Sequence, residues 1–194
     1  MNTTAFLAGL DCAVRQLLAT VQTELEPLGL AQLNQQPAPN AWSVLECLEH
    51  LNRYSRYYNP QMARAVATPA GRPTAEVRHS WLGRKFIAMM APGNTQKAKT
   101  LQRMNPGGIR LDGGAVLSEF YTHQHRLLEL LAQAGAADLN RKAVPVEFLK
   151  LLKMRVGEAF EFVIVHQQRH VQQALRAKEA AQAPAATGPL LVAA

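Results

Sequence analysis

Two histidines four residues apart in "FVIVHQQRHVQQALR", His166 and His170, are the best-spaced pair in the chain for shared chemistry. Side chains at i and i+4 of a helix stack on one face, so both imidazoles can offer a ring nitrogen to one point, which suits a metal ion. The same arithmetic puts His50 on the apolar stripe of an earlier segment, three residues after Cys47 and four before Tyr54. Three inward imidazoles from two helices form a facial set of nitrogen ligands with positions left for water and substrate, the pattern of a catalytic site more than of a closed structural one. Buried histidines are also found simply hydrogen-bonded, so spacing alone leaves both readings open.

The neighbouring letters narrow the chemistry. A zinc-protease helix needs Glu beside its first ligand, and here that place is Gln167, whose amide cannot take a proton. Paired ExxH motifs of di-iron bundles are absent. All-nitrogen ligation is compatible with Zn, Ni, Fe or Cu. Cys47 reads as ordinary core packing, with a thiol near the metal as the other option. Glu158, eight residues before His166, reads as a helix-surface carboxylate unless it orients a ligand. Arg169 must point elsewhere on its helix, to a salt bridge or an anion. His123 borders the same cavity or is a hydrogen-bonded core histidine, His125 falls on the polar side of its helix, and His79 lies in an irregular region as a surface residue.

Four long helical segments have to bring these residues together. Residues 4–28 carry Leu7, Leu10, Val14, Leu17, Leu18, Val21 and Leu25 at spacings of three and four. A second helix opens at a capping box, Ser43 with Glu46, with Trp42 in the slot of a hydrophobic staple, and its pattern loosens at Pro60. Residues 69–114 are irregular, with a short helix in "WLGRKFIAMMA"; their glycines lack the Gly-Lys-Ser/Thr ending of a phosphate loop. A third helix spans 115–134, with Val116, Phe120, Leu127, Leu128 and Leu131 inward and Gly135 as its C′ residue. A linker with Pro145 leads to the fourth helix, which is expected to begin near Phe148 and to run through both histidines. No strand-length alternation competes, so the fold class is all-α, a four-helix bundle with 69–114 as an elaborated crossover.

Length and composition agree with one domain. With 194 residues, 48% hydrophobic and 18% charged, the chain fills one core, assigned to 1–180, and "APAATGPLLVAA" at its end reads as a loose tail over 181–194. No window approaches the ~18 uninterrupted apolar residues of a membrane span. Asp11 and Arg15 interrupt what would be the core of a secretory signal. The expectation is a cytoplasmic protein with no membrane partner. Two cysteines without regular spacing make no disulfide framework. The excess of Lys and Arg over Asp and Glu, 21 to 14, gives +7, but the basic residues are scattered, so the charge signals anionic ligands in general and argues against nucleic acid.

The segments "AWSVLECLEHL" and "GEAFEFVIVHQQRHVQQAL" resemble the two defining motifs of the DinB/YfiT-like superfamily, in its DinB-like branch. The stretch from "FIAMMAPG" through "RMNPGG" to "VLSEFYTHQHRLLELL" is similar more loosely, and the resemblance covers residues 5–178. It implies an up-up-down-down four-helix bundle and a divalent metal held by one His of the second helix and an HxxxH pair of the fourth, here His50, His166 and His170. It further implies a metal-dependent enzyme, a thiol S-transferase using a low-molecular-weight thiol or a hydrolase of a small molecule. A non-catalytic bundle that binds a ligand or a protein, its metal structural or absent, is the alternative. A homodimer stands among the partners to test, since bundles with exposed apolar stripes pair.

Overall fold

Asn2 starts the first helix by accepting the Ala5 N–H, and α1 (Thr3–Thr20) continues through a π-turn over Val21–Leu25. This is seen in a computed structural model that describes residues 1–68, 72–94 and 100–182. The stripe is buried as the spacing predicts, with Phe6 taking the first place where Leu7 is expected. By length and hydropathy Thr3–Leu25 is apolar enough to cross a membrane. Its buried stripe and the Asp11–Arg15 ion pair on its outer side fit a helix of a soluble protein equally well.

A short helix, α2 (Leu30–Asn34), precedes α3 (Val44–Ala67). The capping box is present: Ser43 Oγ accepts the Glu46 N–H at 3.2 Å and Glu46 Oε2 accepts the Ser43 N–H at 2.7 Å. The helix does not stop at Pro60 but runs on to Ala67, its buried Met62 and Ala65 continuing the stripe. The irregular region holds α4 (Trp81–Met90), capped by Ser80, and a 3₁₀ turn over Gln102–Met104. Next comes α5 (Gly113–Ala134), opened by Asp112. Gly135 ends it in a right-handed conformation, φ −60°, so the left-handed C′ cap expected there does not form.

The expected linker and the start of the fourth helix are instead an antiparallel hairpin, β1 (Lys142–Val146) and β2 (Leu149–Arg155), so the chain is mostly helical with a small two-stranded sheet. Leu152 and Val156 are spaced as a helical stripe, which is why the sequence reads as helix here. In the structure Val144, Val146 and Met154 are buried, and Pro145 sits opposite Lys153 with no N–H to donate. The last helix, α6 (Val156–Gln182), begins where Glu158 can cap it: its carboxylate accepts the Arg155 N–H at 2.9 Å. Residues 181–182, assigned to the tail, are its last turn, and the rest of that tail lies outside the described residues.

Helix directions follow from paired contacts. Asn52 donates to the Val116 carbonyl and Asn59 to that of His123, so the numbers rise together and α3 and α5 are parallel. His50 meets His170 and Tyr58 meets Phe162, so α3 and α6 are antiparallel. Leu7 lies beside Gly135 and Glu26 bonds Tyr121, making α1 antiparallel to α5. Lys178 reaches Glu24, while Val77, bonded to Met1, lies beside Gly157, so α1 and α6 run together. This corrects the expected up-up-down-down order: α1 and α6 point one way, α3 and α5 the other. Two consecutive parallel helices leave the chain at the wrong end, about 36 Å away for the 24 residues of α3, and residues 68–112 make that return. Two apolar clusters result. One centres on Tyr58, Phe160 and Leu130, the other on Leu48, Phe120 and Val171, and His50 and His166 are buried where α3 crosses from one to the other.

Candidate metal centre

His50 is carried one turn beyond the capping box that fixes the start of α3, and its ring is almost fully buried at 2% exposure. Its Nδ1 lies 2.7 Å from the Met104 carbonyl oxygen. A carbonyl can only accept, so Nδ1 carries the proton and Nε2 keeps its lone pair. Met104 belongs to the 3₁₀ turn, which Arg53 pins from α3 by donating Nη1 to the Asn105 carbonyl at 2.8 Å and the Arg103 carbonyl at 3.3 Å.

Across the helix interface His166 is buried as deeply, and its Nε2 faces that of His50 at 3.3 Å. One turn on, His170 donates Nδ1–H to Gln173 Oε1 at 2.9 Å, which again leaves Nε2 free. All three residues present ligand atoms within 4.8 Å of one another. Two imidazoles binding one ion at the usual Zn–N length of about 2.0–2.1 Å with tetrahedral angles place their nitrogens about 3.3 Å apart, so the His50–His166 separation fits an ion between them. The half-buried His170 marks the side nearest solvent.

Burial keeps the trio neutral, the protonation state a metal needs. Desolvation lowers His50 to about 4 despite the opposing bond to Met104. Desolvation and then the nearness of His50 lower His170 to about 3. Desolvation, with the neighbouring imidazoles, drives fully buried His166 well below its ordinary 6.5. Aromatic rings enclose the cluster: Trp42 packs on His50 at 4.7 Å and on His170 at 5.7 Å, Tyr54 on His166 at 4.4 Å, and Phe162 stacks parallel to His166 at 6.1 Å.

The remaining sequence candidates fall elsewhere. Cys47 is fully buried in the apolar cluster with Leu48, Val44 and Phe120, desolvation raises its thiol far above the ordinary range, and it is not one of the residues whose ligand atoms come together. Glu158 is not a surface carboxylate: at 2% exposure it accepts the Ser80 N–H as well as that of Arg155, tying the start of α4 to the start of α6. Arg169 donates to the Ala91 and Asn94 carbonyls at the end of α4. His123 bonds Glu119, which pairs with Arg56, away from the trio, and His125 is exposed. His79 pairs with Glu161 at 2.6 Å, more enclosed than a surface residue.

Several contributors had no signal in the letters. The Met104 carbonyl is backbone, and nothing local announces that it reaches His50. Gln173, three residues after His170, was readable by spacing. Glu147, in the hairpin turn, is buried at 2% exposure, held by Arg103, and leaves Oε2 without a partner among the described residues. Burial and then Glu147 push the Tyr54 phenol up to about 12, so this carboxylate lies within electrostatic reach of the aromatic wall.

The profile of the DinB superfamily matches residues 13–174. The uncharacterized protein YuaE of Bacillus subtilis (strain 168) is 24% identical over 156 residues, covering 80% of this chain and 89% of its own length. No solved structure matches.

Proposed function

The chain belongs to the DinB superfamily, and on that footing we propose that His50, His166 and His170 hold one divalent ion, Zn, Ni or Fe, through their Nε2 atoms. The bundle is made by α1, α3, α5 and α6, within a single domain over residues 1–180 of a cytoplasmic protein. The observation that carries this reading is the 3.3 Å approach of two Nε2 atoms whose tautomer, at His50, is fixed by a buried carbonyl. Bound there, the ion supplies Lewis acidity, easing proton loss from a water or a thiol. The chain's own part is to keep three imidazoles neutral, to orient two of them through Nδ1, and to exclude water with Trp42, Tyr54 and Phe162. A small molecule, hydrolysed or joined to a low-molecular-weight thiol, reaches the cluster from the His170 side.

A non-catalytic bundle with a structural ion is the second reading. It is favoured by one feature: among the described residues, the group that could hold a metal is made of histidines alone. Elemental analysis of untagged protein tests the shared premise, with one equivalent of divalent metal expected, and none in His166→Ala. Absence of stoichiometric metal from the parent protein sinks both readings. A thermal-shift screen separates them, because thiols or electrophiles that raise the melting temperature only with metal present support the enzyme.

A further inference from the structure

The turn of the β1–β2 hairpin meets α4 (Trp81–Met90) through a ring contact, and β2 is tied to the segment that leads into α4. Arg155 Nη1 donates to the carbonyl of Arg78, three residues before α4, at 2.9 Å, and the Phe148 ring meets Phe86 of α4 edge-on at 5.9 Å. These elements expose large apolar side chains: Trp81 at 68%, Phe148 at 47%, Leu149 at 49% and Leu151 at 95%. Leu151 is thrown outward by the pairing itself. Val146 stands opposite Leu149 and Pro145 opposite Lys153, so residues 150–152 bulge out of the ladder with Leu151 at the apex.

The same elements are basic. Arg84, Lys85, Lys142, Lys150 and Lys153 are all exposed, and Lys85 Nζ lies 5.3 Å from the Trp81 ring centroid. In residues 81–90 and 141–155 the one acidic residue is Glu147, which is buried against Arg103.

We propose that the hairpin and α4 form a docking surface for an anionic lipid bilayer, adsorbed without crossing it. Leu151 and the Phe148–Leu149 turn enter the headgroup layer, while Lys85, Lys150 and Lys153 meet lipid phosphates. Charge complementarity selects this occupant: a second copy would bring like charges together, which association disfavours. Protruding single side chains suit a yielding lipid layer, whereas an acidic protein partner would call for a groove. The proposal is independent of the metal site.

The test is co-sedimentation of the full-length protein with vesicles of phosphatidylcholine alone or with added phosphatidylserine, at low and high salt. Binding is expected with phosphatidylserine only, and to weaken with salt. The double variant Lys150→Glu, Lys153→Glu is expected to lower partitioning by more than about tenfold, and Leu151→Ser by about tenfold, with unchanged melting temperatures because all three residues are exposed. No binding to phosphatidylserine vesicles at low salt overturns the proposal, as does either variant binding as well as the parent. Equal or tighter binding to polyglutamate, lost in the same variants, or a parent dimer that Leu151→Ser dissociates, overturns it in favour of an acidic polypeptide or a second copy.

Discussion

Acidifying the metal-free protein from about pH 7 to about pH 5 should remove a large part of its stability, and most of the loss should come from the three buried imidazoles, with a smaller share from His123, which desolvation also lowers. Each has its folded pKa depressed below the ordinary 6.5, to about 4 for His50 and about 3 for His170, with His166 well below. The stability linked to such a group is complete above 6.5 and is lost as the pH falls toward the folded value, because the unfolded chain takes up the proton first. A histidine kept neutral at pH 5 against an unfolded pKa 1.5 units higher costs about 2 kcal/mol, so the trio together costs about 6 kcal/mol, comparable with the whole stability of about 5–15 kcal/mol of an ordinary domain. Carboxylates titrate mostly lower, which isolates the histidines in this window. Urea unfolding of chelator-treated protein at the two pH values measures the effect, and His166→Phe, which keeps a ring against Phe162, should remove about a third of it. Bound Zn should protect, since protons must then displace the ion. An unfolding midpoint in metal-free protein that does not move between the two pH values, or one that moves as far in His166→Phe, refutes the reasoning.

Other outcomes follow from single contacts. Arg53→Ala leaves all three ligands in place but frees the turn whose Met104 carbonyl orients His50, so Zn affinity measured by chelator competition should fall about 10–100-fold. In Gly83→Ala the new methyl would sit 2.5 and 2.7 Å from the Glu158 carboxylate oxygens, which cannot withdraw without releasing the Ser80 and Arg155 N–H groups. A loss of about 1–3 kcal/mol is expected, read as a lower melting temperature. Of the two thiols, exposed Cys12 should react with a thiol reagent in the folded protein and buried Cys47 only on unfolding; two rapid equivalents would contradict the packing.

Local features were legible in the letters because their causes are local. Periodicity marked the stripes of α1, α3 and α5, Ser43 and Glu46 marked the start of α3, and the four-residue spacing of His166 and His170 put their rings on one face whatever the helix packed against. Local spacing misled at 148–155, where a helical stripe and a strand share the same apolar letters, and at Glu158, whose burial depends on α4 lying over it. Tertiary structure alone decided that α3 runs antiparallel to α6 at a register that sets His50 against His166, that a distant backbone carbonyl fixes the His50 tautomer, and that Trp42 and Tyr54 close the cluster. The physical reason is range. A spacing of three or four residues constrains atoms one helical turn apart, whereas the meeting of residues 116 positions apart depends on the summed packing of whole helices, which no single stretch of sequence encodes.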